Sequence, residues 1–192
     1  MNIYTDITDP RLAQQLQQGA VGVLPTDTVY GIVCLASHQA AVDRLYAAKH
    51  REHKPGTLIA ASVEQLVQLG LKKRYLTPVE QYWPGAVSVV IPSWHELEYL
   101  HQGIGSLAVR VPAGPSGLQA LLQQVGPLLT SSANMPGQPP AANLHEAQAY
   151  FGDTIDFYVD GGDLSGHQPS TVVRIVDDAV EVLRAGAVTI DE

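Results

Sequence analysis

Apolar and polar positions alternate along this chain in two periods, and the switches between them mark the elements. Leu12, Ala13 and Leu16 share a helical face. Asp9 stands as its N-cap, Pro10 suits the first helical position, and Gly19 stops it. Ala20–Leu24 is a short apolar run, read as a buried strand that ends in the turn Pro25-Thr26-Asp27-Thr28. Tyr30–Ala36 predicts a second strand. A helix capped by Ser37 follows, with Val42, Leu45 and Tyr46 facing inward and its end near Lys49. Thr57–Ala61 predicts another strand. Ser62 with Gln65, and Thr77 with Glu80, have capping-box spacing. Ala86–Ile91 and Leu107–Val111 read as strands, and Leu118, Leu121, Leu122 and Val125 form a helical stripe. Pro127–Thr130 enters a strand expected to break at Ser131-Ser132-Ala133-Asn134. Asn143 and Glu146 open a helix, and Ile155–Val159, Thr171–Val176 and Val180–Leu183 close the chain as strands.

Strands and helices interleave, with strands adjacent near the C-terminus. The expected fold class is therefore α/β: a twisted mixed sheet with packed helices. The 192 residues, 45% of them hydrophobic, suffice for one core, so a single domain over residues 1–192 is expected. No repeat or low-complexity tract interrupts it. Met135–Ala142, rich in Pro and Gly, is read as an active-site loop or lid.

Charge changes the picture next. Charged residues make up 16% of the chain and the net charge is −8. An acidic chain repels a phosphate backbone at long range, so weak or no direct tRNA binding is expected, though a local basic pocket for a small anion is compatible with it. The lone Cys34 excludes an internal disulfide and a Cys-based zinc site, and its apolar surroundings suggest an inert buried thiol. No stretch approaches the roughly 18 apolar residues of a membrane span, and no leader pattern opens the chain. A cytoplasmic protein without a membrane partner is expected.

Several segments carry candidate chemistry. Thr26, Asp27 and Thr28 place two hydroxyls and a carboxylate just after a buried strand, where ligands gather in α/β folds. On composition alone, an ordinary turn in which Asp27 bonds its own backbone is the simpler reading. Lys49-His50-Arg51 lies at a helix end, where cations complement the dipole or clamp phosphate oxygens. Thr130, Ser131, Ser132 and Asn134 offer short donors after an apolar strand. Arg110 alternates with Leu107, Val109 and Val111, so it faces either solvent or, if inward, an anionic partner. Ser170, Thr171 and Arg184 recur at strand edges. The chain has no P-loop, no G-x-G-x-x-G, no H-E-x-x-H, no C-x-x-C and no G-x-S-x-G, and no metal site made of protein ligands is expected.

Taken in order, these segments resemble the YrdC-like family of threonylcarbamoyl-AMP synthases. The resemblance runs through Pro25–Gly31, Lys49-x-Arg51, Trp83-Pro84-Gly85, Ser106–Arg110, Ser132-Ala133-Asn134, Ser170–Val173 and Leu183-Arg184-x-Gly186. It implies a mixed sheet with a concave, positively lined cavity, and a nucleotidyltransfer from ATP to a carbamate made from L-threonine and bicarbonate. It implies a catalytic tetrad of Lys49, Arg51, Ser132 and Asn134 on the nucleotide phosphates, with Ser106, Thr130 and Arg184 near ATP. Threonine is expected at Thr26, Thr28, Arg110 and Ser170, with Arg110 on its carboxylate. Mg²⁺ is expected to arrive with ATP, and a threonylcarbamoyl transferase complex is the implied protein partner in tRNA modification. The chain departs from the family pattern at Glu52–Gly56 and at Met135-Pro136-Gly137, and its end at Glu192 suggests the short single-domain type. Two rivals remain open on the residues alone: a related enzyme using another carbamoyl source, and a non-catalytic RNA-binding module.

Overall fold

Helix formation begins locally. In the computed structural model, which describes residues 2–50, 53–177 and 179–190, Asp9 accepts a hydrogen bond from the Arg11 amide and opens α1 (Pro10–Gln17), whose Leu12 and Leu16 are fully buried. The remaining helices are α2 (Gln39–Ala48), α3 (Val63–Leu69), α4 (Lys73–Leu76), α5 (Glu98–His101), α6 (Ser116–Val125) and α7 (Leu144–Phe151). Ser62 and Asn143 cap α3 and α7 through the amides of Gln65 and Glu146, as their spacing predicts. The cap of α2 differs from expectation. His38, not Ser37, accepts from the Ala41 amide, at 3.3 Å. Thr77 is also no cap, because α4 already runs into it, and its hydroxyl donates back to the Lys73 carbonyl at 3.3 Å.

The strands are β1 (Asn2–Tyr4), β2 (Val21–Pro25), β3 (Tyr30–Leu35), β4 (Thr57–Ile59), β5 (Val87–Pro92), β6 (Ser106–Arg110), β7 (Leu128–Ser132), β8 (Phe157–Val159), β9 (Thr171–Val176) and β10 (Ala179–Arg184). They form one mixed sheet in the order β1-β8-β2-β3-β7-β4-β6-β5-β9-β10. Four neighbouring pairs are parallel: β1–β8, β2–β8, β4–β6 and β5–β9. The mixed α/β class is as expected. Strand β7 continues through Ser132 instead of breaking at Ser131, because Ser131 and Ser132 pair with Ile32 and Gly31 of β3. A ladder partner outweighs the turn preference of serine.

Each sheet face has its own core. On one face Ile32, Cys34, Leu58, Val89 and Val109 pack against Val42 and Leu45 of α2 and Leu66 of α3. On the other, Val33, Leu35, Ile59 and Leu128 pack against α1 and α6. The rung Leu35–Leu128–Ile59 belongs to this second face. Two residues along, the rung becomes Val33–Thr130–Thr57–Ala108, and two further it is Gly31–Ser132. Side chains two apart share a face, so the apolar rung under the helices passes into small and polar positions. Arg110, in register with Ile59, shares that face, as does Ser88.

Candidate active site

The turn after β2 is held by its own hydroxyls. Thr26 Oγ1 donates to the Val29 carbonyl at 2.6 Å, accepts from the Thr28 amide at 3.2 Å, and lies 3.1 Å from Thr28 Oγ1. Tyr30 braces the turn from behind: its hydroxyl donates to the Gly162 carbonyl and accepts from the Gly161 amide, both at 2.8 Å. Thr26 thus does the local bonding, and Asp27 reaches across to Arg110. Arg110 Nη2 donates to Asp27 Oδ1 at 3.0 Å, and the two side chains are 4% and 6% exposed. Arg110 therefore points inward and has the anionic partner that burial demands. Burial pushes the Asp27 carboxyl up and the Arg110 guanidinium down, each opposed by the other's charge.

From Arg110 a polar chain crosses to the far strands. Arg110 Nη1 donates to Ser88 Oγ at 3.3 Å, and Ser88 Oγ lies 2.9 Å from Ser170 Oγ. Arg184 Nη2 donates to Ser170 Oγ at 3.1 Å and to the Ser170 carbonyl at 2.7 Å. Thr26, Thr28, Gly31, Arg110, Thr130, Ser132, Ser170 and Arg184 line one cavity on the small and polar part of the sheet. All four residues expected at threonine come together there.

A second cleft opens beside it, lined by Lys49, His50, Lys54, Ser132, Asn134, Pro136 and Gly137. Lys49 stands at the C-cap of α2, where a cation meets the negative end of the helix dipole. Its Nζ donates to the Ser132 carbonyl and Asn134 Oδ1, each at 2.8 Å, and to the Asn134 carbonyl. Ser132 Oγ donates to Asn134 Oδ1 at 2.7 Å, and Asn134 Nδ2 donates to the Gln138 carbonyl at 2.6 Å. Three members of the expected tetrad therefore converge, with the Pro136-Gly137 loop at the rim. Arg51 lies outside the described residues. Ser132 lines both spaces and joins them.

Residues 14–186 match the family of Sua5, YciO and YrdC, described as telomere recombination. The chain belongs to the Sua5/YciO/YrdC family. A Sua5/YciO/YrdC relative from Halorhodospira halophila, named threonylcarbamoyl-AMP synthase, is 36% identical over 172 residues, covering 84% of this chain and 86% of the relative. The threonylcarbamoyl-AMP synthase of Bacillus subtilis is 30% identical over 201 residues, covering 97% of this chain and 58% of the relative. The structure of P. abyssi Sua5 complexed with L-threonine superposes with a TM-score of 0.82 at 27% identity, over 97% of this chain and 58% of that one. This chain thus spans less than two thirds of those two longer proteins.

Not every residue suggested by the Sua5/YciO/YrdC resemblance meets the others. Ser106 opens β6 opposite Pro92 and lines neither space. Two participants were not among the expected site residues, although Gly31 closes the Pro25–Gly31 segment of the resemblance. Ser88 links Arg110 to Ser170, and its signal was a lone hydroxyl two residues from Val90 on the Arg110 face. Gly31 keeps the cavity open, and a glycine inside a strand is itself a sign of close approach. Among the described residues no three His, Cys, Asp or Glu side chains gather as a metal cage. No helix among them is long and apolar enough to cross a membrane.

Proposed function

We propose that this chain is a threonylcarbamoyl-AMP synthase, forming the adenylate of an N-carboxylated threonine from L-threonine, bicarbonate and MgATP for tRNA modification. The observation that carries the reading is the shared wall at Ser132 between an arginine-headed cavity and a Lys49–Asn134 cleft. One space suits a carboxylate, which a guanidinium grips in a planar fork. The other suits phosphate oxygens, with Lys49 as a point charge and Ser132 and Asn134 as short donors.

The chemistry follows from holding both substrates in reach. The threonine amine adds to CO2 released from bicarbonate, losing a proton and giving a carbamate. A carbamate oxygen then attacks the α-phosphorus, the bond to the β-phosphate bridging oxygen breaks, and pyrophosphate leaves. The protein's work is orientation and charge stabilisation on phosphate oxygens, and no protein nucleophile is required. Arg110 holds the amino-acid carboxylate. Lys49, with Arg51 by family resemblance, balances charge on the triphosphate, and Mg²⁺ enters as part of the nucleotide. The product is a reactive mixed anhydride, so a transferase that passes the group to tRNA is the partner this reading calls for, in the same cytoplasm.

The test is direct. Purified protein with MgATP, L-threonine and bicarbonate should release pyrophosphate and accumulate the adenylate, and omitting threonine should stop both. Pyrophosphate release indifferent to threonine, or sustained by carbamoyl phosphate in place of bicarbonate, would favour the other carbamoyl-adenylating chemistry.

A further inference from the structure

The Arg110 cavity and the Lys49 cleft pose a sorting problem. Both are headed by cations and they share Ser132. A guanidinium binds carboxylate and phosphate with the same fork geometry, so Arg110 alone does not tell a threonine carboxylate from a nucleotide phosphate. Arg184 on the same wall adds a second guanidinium. Asp27 is not part of the cavity lining, but its buried carboxylate lies 3.0 Å from Arg110 Nη2 and sets a negative charge against these two. Among the Arg–carboxylate pairs of the described residues, only Asp27–Arg110 has both side chains almost wholly removed from water. Asp27 Oδ2 and Arg110 Nε, both buried, have no hydrogen-bond partner. The pair is thus joined at one point, and donor capacity on Arg110 is left over.

We propose that Asp27 determines the specificity of the Arg110 cavity: its carboxylate admits the zwitterion of an α-amino acid and shuts out phosphate groups. The proposal rests on reading the cavity as the amino-acid site. An amino acid brings an ammonium next to its carboxylate, so repulsion of its carboxylate by Asp27 is offset by attraction of its ammonium. A phosphate brings up to two negative charges and no positive one, so the repulsion stands uncompensated. Low dielectric around a buried pair makes that difference large. Discrimination by a built-in repulsive group is the usual way to separate two ligands that one cation would accept. Phosphates are then left to the Lys49 cleft.

The test uses L-threonine, its deamino analogue 3-hydroxybutyrate and inorganic phosphate as probes, in calorimetric titrations and steady-state assays. Wild-type protein should bind the analogue at least about tenfold more weakly than threonine, and phosphate should compete with ATP but not with threonine. Asp27→Asn, confirmed folded by its melt, should narrow the threonine-to-analogue gap and make phosphate compete with threonine. Asp27→Glu, which keeps the charge, should retain the wild-type pattern. Equal wild-type affinity for threonine and analogue overturns the proposal without any variant, and so does phosphate competing with threonine in the wild type. A folded Asp27→Asn with the wild-type pattern overturns it as well. No threonine binding by wild type is a different result, since it sinks the amino-acid reading of the cavity and the proposal with it.

Discussion

Thr130 occupies the space over Gly31 where a side chain would stand: a Cβ built on Gly31 would lie 2.5 Å from Thr130 Oγ1. Thr26 Cγ2 would be 3.2 Å away. Both neighbours line the cavity, and Thr130 is buried, so it has little freedom to yield. Gly31→Ala should destabilise the fold by about 1–3 kcal/mol, as overpacking does, and raise the threonine KM more than the ATP KM. Melts and paired substrate titrations check this. A variant with wild-type melting and threonine KM would show that the cavity tolerates the methyl group.

Lys49 ties two elements together as well as facing the phosphate cleft. Its ammonium bridges the end of α2 to the Ser132 and Asn134 carbonyls. Lys49→Met keeps the aliphatic stem and removes the charge. ATP-dependent turnover should fall about ten- to a hundredfold, matching the roughly 1.5–3 kcal/mol of a charged hydrogen bond. Stability should fall too, because two carbonyls lose a charged donor. Threonine binding in calorimetry should persist, and its loss alongside ATP would point to collapse of both spaces.

Asp156 offers a pH test far from the cavities. Its Oδ1 accepts from Arg44 Nη2 at 2.9 Å and its Oδ2 from the Val21 amide at 2.8 Å, pinning the start of β2. Burial raises its pKa, but the Arg44 hydrogen bond, the Val21 amide and the Arg44 charge together bring it below the usual value. A depressed carboxylate contributes stability that is present above the unfolded pKa of about 3.9 and lost as pH falls through the folded one. Asp156→Asn should therefore melt lower at neutral pH, by an amount worth about 1 kcal/mol for so exposed a pair. The gap should close in acid. A gap independent of pH would remove the ionised carboxylate from the account.

Cys34 is fully buried within the β3 core, and burial pushes its thiol far up. It carries no useful thiolate at neutral pH. Cys34→Ala should keep its turnover while losing about 1 kcal/mol of stability, and iodoacetamide should leave the native protein unlabelled. Rapid labelling, or lost turnover at unchanged stability, would show the thiol to be active.

What the chain revealed by itself was local or periodic. Caps at Asp9, Ser62 and Asn143 bond amides two or three residues away, so their spacing announces them. The period of two placed Arg110 opposite its aliphatic neighbours. The Asp27–Arg110 pair spans 83 residues, and no local pattern points from one to the other. The same holds for strand order and for β7, whose last serines are strand only because β3 lies beside them. Strand β1 and helices α4 and α5 went unseen because they are three or four residues long and do not sit in an apolar run, unlike the equally short β4 and β8. The family resemblance assembled residues from distant segments, but it could not tell that Ser106 would sit away from both spaces.

The role of Arg110 needs a variant that respects its partner. Arg110→Gln alone strands Asp27 as an unpaired buried charge, a change that typically costs about 3–5 kcal/mol. Loss of threonine use in that variant would then mix a lost contact with a damaged fold. Replacing both members, Asp27→Asn with Arg110→Gln, removes the charges together; Asn keeps the shape of Asp, while Gln is shorter than Arg and leaves some space. The double variant should melt closer to wild type than Arg110→Gln does, with a coupling between the two sites that a double-mutant cycle measures. If Arg110 grips the amino-acid carboxylate, threonine binding should stay lost in the double variant while direct ATP binding stays near wild type. Calorimetric titrations of both ligands against wild type, both single variants and the double variant decide it. Wild-type threonine affinity in the double variant would make the pair a structural strut with no substrate contact. Equal loss of ATP and threonine would mean that the Ser132 wall transmits the change, so that the two spaces cannot be separated by substitution at this strand.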